Sequence, residues 1–341
     1  MSIAVGSPRS SLSTTRSQAP VFVMGCHRSG TNLLYDMLLS AGGFAVYRGY
    51  LPVYKILIPR FGKLDKLSNR KKILEAWLLS KGFRRSGLAA EFVRDKILNE
   101  CKNGGDFIRA TMDEVMRQQQ ATRWAFYDPD AVLYVPTIKA EIPDAIFVHI
   151  LRDGRDIALS LKKMGGFRPF PWNRRQLGLL ETALYWEWMV RRGRYHGSRI
   201  PSDYIEIHYE ELVSAPNQVL KKLGAFIEHD LDYNRIQQTA LGRISESNSS
   251  FLADAKERRG NPVNRWKERL TPQEIVRLEA AIGDALRDFG YELTSPANPT
   301  FRQQWRRSFY ATLLDTKLFL KTRTRFGRFA NLSALELDSP E

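Results

Sequence analysis

Val21-Phe22-Val23-Met24-Gly25-Cys26-His27-Arg28-Ser29-Gly30-Thr31 is an unbroken apolar run followed at once by a glycine-spaced loop. The run reads as a buried strand, and Asn32 to Leu39 reads as a helix stopped by Gly42-Gly43. The loop therefore lies at a helix N-terminus, where unpaired backbone N–H groups and the positive end of the helix dipole favour an anion. Gly25 and Gly30 permit close backbone approach, which makes phosphate the expected guest. The nucleotide-binding form of such a loop ends in Gly-Lys-Ser/Thr, with the lysine on the outer phosphates and the hydroxyl on Mg²⁺. Here Gly30 is followed by Thr31 and Asn32, and the cation sits inside the loop at Arg28, whose planar fork of donors suits an oxyanion. Taken alone, the segment also fits a tight strand-to-helix turn with a surface arginine.

A second apolar run, Ala145 to Leu151, is closed by Arg152-Asp153-Gly154-Arg155-Asp156 and followed by a helical pattern to Lys163, ended by Gly165-Gly166. A Mg²⁺-dependent nucleotidase would end this strand on a metal-binding aspartate. Arg152 stands there instead, and Ser160 follows eight residues later on the next helix, so that an arginine and a hydroxyl converge on another phosphate. Two anion sites without a metal site suggest a nucleotide with two separate phosphate positions.

The loop Cys26 to Thr31, paired with the stretch from Arg152 to Ser160, resembles the sulfotransferase family, whose sulfuryl donor is 3′-phosphoadenosine 5′-phosphosulfate (PAPS). Tyr204 to Leu212 is similar to that family's strand followed by Tyr-Glu-Asp-Leu, with Pro216 opening the next helix. Asn248-Ser249-Ser250-Phe251 resembles its adenine-side segment. Lys256 to Gly260, then Trp266-Lys267, resembles its C-terminal basic loop and the tryptophan that closes over the nucleotide. These stretches occur in family order across residues 20–293. The resemblance implies that Arg28, Ser29, Gly30, Thr31 and Asn32 cradle the 5′-phosphosulfate. It implies that Arg152 and Ser160, joined by Arg258, Arg259 and Gly260, bind the 3′-phosphate, and that Tyr209 and Phe251 flank the adenine. Read without it, Tyr209 and Phe251 are core aromatics and Arg258-Arg259 is a solvated face. An arginine at the end of a buried strand needs an anionic partner in either case.

Sulfuryl transfer, like phosphoryl transfer, passes through a loose, anion-like group between entering and leaving oxygens, so catalysis becomes positioning and charge neutralisation. Arg28 is placed to stabilise charge on the departing phosphate. No metal is expected, because the five histidines are scattered with no His-x-x-x-His or Cys-x-x-Cys pair. A general base must take the acceptor's proton, and here the chain departs from its relatives. Many carry a glutamate shortly after the first helix, but Val46-Tyr47-Arg48-Gly49-Tyr50 has no carboxylate. Asp128 and Asp130 in Trp124-Ala125-Phe126-Tyr127-Asp128-Pro129-Asp130 are candidates, as is His27 in the loop; each also reads as a cap, a turn former or a solvated side chain. His149, inside a strand, reads as a satisfied core histidine.

The 341 residues, 43% of them hydrophobic, suit one large α/β domain: a three-layer, P-loop-type parallel β-sheet flanked by helices, with ligand at the carboxyl ends of the strands. Residues 1–19, serine-rich and free of acids, read as a disordered lead, and 20–295 as the main domain. Within it, 51–120 reads as a helical insertion serving as a lid. The net charge of +15 and pI near 9.8 imply anionic partners, and the donor accounts for only part of that excess. Residues 296–341 form a basic tail, in which Phe301 to Ala330 carries eight Lys or Arg against Asp315 alone. Phe301, Trp305, Phe309 and Leu313 recur every four residues, so this amphipathic helix fits either an anionic membrane surface or packing on the domain or on a second subunit of a homodimer. No run of eighteen apolar residues occurs, and the two cysteines make no disulfide framework, which points to a cytoplasmic chain, membrane-peripheral at most.

Three function classes follow. A PAPS-dependent sulfotransferase acting on a hydroxyl of a carbohydrate, glycolipid or small molecule accounts for the ordered motifs. A P-loop kinase requires a Gly-Lys-Ser/Thr ending and a metal-binding aspartate, and both are missing. A non-catalytic binder of anionic membrane or nucleic acid would use the basic surface alone, and for nucleic acid no reading motif is present.

Overall fold

The apolar run Val21–Met24 is strand β1, and its four side chains are all buried. β2 (Phe44–Ala45), β3 (Arg123–Tyr127), β4 (Ile146–Leu151) and β5 (Tyr204–His208) complete one sheet in the order β2-β3-β1-β4-β5, with every pairing parallel. Burial on both faces explains why β1 and β4 are continuous apolar runs rather than alternating ones. The computed structural model describes residues 15–164, 178–244, 263–295 and 299–336.

Helices cover both faces. In chain order they are α1 (Thr31–Ser40), α2 (Ile58–Phe61), α3 (Leu67–Leu78), α4 (Lys81–Arg84), α5 (Ala90–Glu100), α6 (Gly104–Gln119), α7 (Val135–Glu141), α8 (Gly154–Lys163) and α9 (Leu179–Gly197). α10 (Tyr209–Ser214), α11 (Pro216–Ile227), α12 (Tyr233–Thr239), α13 (Trp266–Arg269), α14 (Pro272–Asp288) and α15 (Phe301–Arg323) follow. The period-two pleat splits β1 between two cores. Val21 and Val23 pack with α1, α11 and α12, whereas Phe22 and Met24 face the larger core built by the insertion, α8, α9 and α14. The layered α/β architecture expected from the sequence is thus present.

Residues 51–120 hold a π-helical turn, Val53–Leu57, and helices α2 to α6. α6 starts on a capping box between Asn103 and Asp106.

Both ends of the described chain are fastened to the domain. Residues 15–19 belong to the domain rather than to a loose lead: Arg16 donates to Phe226 O (2.7 Å) and pairs with Asp203 (2.8 Å). At the other end, α15 packs on α9 and α14, but not through its aromatic stripe. The face turned inward carries Leu314, Arg306 paired with Glu181, Arg307 with Glu187 and Asp284, and Asp315 receiving the Trp188 indole N–H (2.7 Å). Phe301, Trp305 and Phe309 remain outside.

Candidate functional site

β1 is central, so the loops that leave β1 and β4 lie side by side at the carboxyl edge of the sheet. The first loop is compact because its glycines admit no side chain. A Cβ at Gly25 would stand 2.5 Å from Ile150 O. One at Gly30, whose φ is +96°, would stand 2.3 Å from the Tyr209 ring. Arg28 itself adopts φ +75°, uncommon for a residue with a Cβ. Gly30 caps α1 without any side-chain hydrogen bond, which leaves the helix N-terminus open to an external acceptor. Ser29 is wholly buried, and its Oγ has no hydrogen-bond partner among the described residues. A buried hydroxyl in that state is costly unless a ligand satisfies it.

The second loop interlocks with the first. Arg152 leaves β4 buried, donates to Arg28 O (3.2 Å), stands 3.8 Å from Asp156 and lies over the Tyr209 ring at 4.3 Å. Arg28 Nε donates to Ser160 Oγ (2.9 Å), so the two sequence motifs meet across 132 residues. Burial lowers the Arg28 pKa, and the nearby guanidiniums of Arg152, Arg243 and Arg265 lower it further. Such convergence of like charges calls for an anion between them.

Arg152 and Ser160 line a small pocket together with Asp156, Leu159, Lys163, Arg265 and Arg269. Lys163, Arg265 and Arg269 carry no motif spacing, and sequence reasoning missed them; only the docking of α13 against α8 brings the last two here. Asp156 is pushed up to about 6 by burial, against the pull of Arg152. Arg155 turns away into the core, where it pairs with Asp153 and Glu279 and stacks 3.6 Å from the Trp266 ring. Trp266 is itself buried, its backbone N–H donating to Asp156 (2.9 Å). Phe251, Arg258, Arg259 and Gly260 lie outside the described residues.

Thr31 is buried and bonds the Tyr127 hydroxyl, while Asn32 opens on a cleft of about 570 Å³ with Tyr35, Tyr47, Arg48, Tyr50 and Tyr127 on its walls. Asp36 anchors that cleft by pairing with Arg48 and accepting from Arg243 N (2.7 Å).

The three candidate bases come together. Asp128 accepts from Asp130 N (3.0 Å) and caps the short 3₁₀ turn Pro129–Leu133. Asp130 pairs with Lys55 and lies 3.4 Å from His27 Nε2. Burial and the neighbouring Asp130 raise the Asp128 carboxyl. Lys55 and His27 outweigh burial at Asp130 and hold it well below the carboxylate range. Lys55 arrives from the π-helical turn, an irregularity that often marks functional positions. From the other side, Lys317 and Lys321 of α15 feel Lys55 and Asp130, and burial lowers the Lys321 amine to about 8. Cys26 is buried in the loop, and burial together with the nearby Asp130 pushes its thiol up, which disfavours the thiolate.

Residues 20–233 match the model described as "Sulfotransferase family". Two nematode proteins, both named "Putative protein-tyrosine sulfotransferase", are similar to the chain. The one from Caenorhabditis briggsae is 24% identical over 138 residues, which is 38% of this chain and 45% of that protein. The one from Caenorhabditis elegans is 20% identical over 217 residues, 60% and 80% of the respective chains. The chain thus spans less than half of the first relative's length. Among solved structures, the sulfotransferase domain from the curacin biosynthetic pathway shares the fold with a TM-score of 0.51 and 16% identity, covering 81% of this chain and 99% of that one. With a family match across most of its length and the family's layered sheet beneath the loop, the chain belongs to the sulfotransferase family.

Proposed function

We propose that this protein moves a sulfuryl group from PAPS to an acceptor hydroxyl of a carbohydrate, glycolipid or other small molecule. One observation carries the reading: Arg28 and Arg152 interlock at the loop where Ser29 holds a buried, unsatisfied hydroxyl beside the open N-terminus of α1, and the guanidiniums of Arg243 and Arg265 are near enough to act on Arg28. A nucleotide with separate acid groups on its 5′ and 3′ sides fits that charge pattern, and ATP, lacking a 3′ phosphate, leaves the Arg152 pocket without its anion.

PAPS supplies a sulfuryl group already activated on a 5′-phosphate. Arg28, Ser29, Thr31, Asn32 and the loop N–H groups hold that end, and Arg28 neutralises charge gathering on the phosphate oxygen. Arg152 and Ser160 hold the 3′-phosphate with Lys163, Arg265 and Arg269, and Tyr209 presents its ring to the adenine. His27 takes the acceptor's proton. Asp130 accepts from Nε2–H, which leaves the lone pair on Nδ1, and Lys55 keeps Asp130 ionised. Asp128, engaged as a cap, supports the turn that carries Asp130. The cleft beside Asn32 and Tyr127 receives the acceptor. A second reading, a protein tyrosine as acceptor, draws on the relatives' names and on the cations Arg85 and Arg243 at the cleft wall, which suit a negatively charged peptide.

Thermal unfolding tests the donor assignment. At a hundredfold excess over its Kd, a ligand of the native state adds about 2.7 kcal/mol, enough to raise the midpoint by several degrees. 3′-Phosphoadenosine 5′-phosphate is expected to give that shift and 5′-AMP almost none; equal shifts would overturn the assignment.

A further inference from the structure

Six aromatic side chains stand exposed on the C-terminal arm: Phe301, Trp305, Phe309 and Phe319 on α15, then Phe326 and Phe329 in the 3₁₀ turn that follows. Phe301 is 84% exposed, Trp305 61%, Phe326 64% and Phe329 65%. At about 100° per residue the four on the helix fall within one arc of roughly 80°, opposite Leu314 and Arg307, which pack α15 inward, Arg307 pairing with Glu187 and Asp284. The helix is 23 residues long, so the row extends about 30 Å. An aromatic row of that extent is far from the scattered apolar residues of an ordinary surface.

The charge around the row has one sign. Arg302, Arg323, Arg325 and Arg328 are exposed beside the aromatics. Asp315, the sole acid between Phe301 and Ala330, is engaged by Trp188 and Arg192 of α9. A second copy docking isologously would set one arginine-bearing face against the same face of the other. A bilayer with anionic headgroups instead offers apolar depth to the rings and negative charge to the guanidiniums. No helix among the described residues is long and apolar enough to cross a membrane.

We infer that the outer face of α15 and the following turn form a docking surface for an anionic lipid bilayer. The chain then returns to the cleft, where Leu335 and Glu336 form part of the wall, so docking sets the cleft close to the membrane plane.

The test is flotation of the full chain with phosphatidylcholine vesicles, with and without phosphatidylserine, alongside light scattering of the protein alone. Binding is expected only to the serine-containing vesicles and should weaken as salt rises. Trp305→Ser with Phe309→Ser should abolish it, and so should Phe326→Ser with Phe329→Ser. Arg325→Gln and Arg328→Gln should each weaken it roughly fivefold. All variants should keep the wild-type melting midpoint and donor-nucleotide affinity, since the altered side chains are exposed and none lines the two pockets. Equal binding to both vesicle types, or binding indifferent to the aromatic changes, would overturn the inference. So would absence of vesicle binding together with a doubled mass that Trp305→Ser abolishes, which would assign the face to a second copy.

Discussion

Gly30→Ala isolates the contact on which the loop after β1 is built. Two costs add. At φ +96° a Cβ meets backbone atoms, at about 1–2 kcal/mol. It would also stand 2.3 and 2.7 Å from two Tyr209 ring carbons, and the Arg152 guanidinium 4.3 Å above that ring limits its retreat. Overpacking of that kind costs about 1–3 kcal/mol, so Gly30→Ala should lose about 2–5 kcal/mol of stability. Gly42→Ala is the internal control: its φ is +83° with nothing within 4 Å of the added carbon, so the backbone cost alone, about 1–2 kcal/mol, applies. Urea denaturation of both variants, of Tyr209→Ala and of Gly30→Ala/Tyr209→Ala closes a double-mutant cycle. The double variant should recover about 1–3 kcal/mol relative to the sum of the singles. If Gly30→Ala costs no more than Gly42→Ala, or the cycle shows no coupling, the loop is not pressed against Tyr209 and the site geometry is wrong.

Other outcomes are equally definite. Arg152→Ala removes charge-assisted hydrogen bonds of about 1.5–3 kcal/mol, so calorimetry should show 3′-phosphoadenosine 5′-phosphate binding weakened roughly 10–150-fold, with 5′-AMP changed far less. His27→Ala should lower turnover of PAPS with an acceptor by about 10²–10⁴-fold at unaltered nucleotide affinity; a parallel loss of both would remove His27 as the base. Asp130→Asn leaves the half-buried Lys55 without its carboxylate and should cost about 2 kcal/mol in urea unfolding, most of which Lys55→Met in the same chain should restore. His149 gives a pH signature. Burial lowers its pKa to about 4 from the 6.5 of an unfolded chain, so the native state binds fewer protons. Stability is full above pH 6.5 and falls by about 1.4 kcal/mol per unit toward pH 4, roughly 3 kcal/mol in all. His149→Gln should flatten that slope, and an unchanged slope would show that the ring is not held neutral.

The loops after β1 and β4 were readable in the sequence where local rules act alone. Val21–Met24 and Ile146–Leu151 declare themselves because strands buried on both faces must be continuously apolar. Gly30 and Arg152 declare themselves because a left-handed turn and a cation at a strand end have few other uses. Pairings made by tertiary docking leave no such trace. Lys55 lies 75 residues from Asp130 and reaches it only through a π-helical turn that no periodicity announces. Arg265 and Arg269 reach the Arg152 pocket by the docking of α13, and Asp36 secures the cleft through Arg48 and the backbone of Arg243. The two-residue β2 is too short to show alternation, and β5, only half-buried, was read through its resemblance to the family's strand rather than through its pattern. The four-residue recurrence of Phe301, Trp305 and Phe309 was legible as a helix, but not the side that packs, because α15 is held by ion pairs of Arg306 and Arg307 together with Leu314 and its apolar neighbours rather than by the aromatic row.

Calorimetry on the unaltered protein tests the central claim most directly, titrating 3′-phosphoadenosine 5′-phosphate beside ATP and 5′-AMP, each with and without EDTA. Tight binding that requires the 3′-phosphate and is indifferent to EDTA is the predicted result. ATP binding that depends on Mg²⁺, or no preference for the 3′-phosphate, would contradict it.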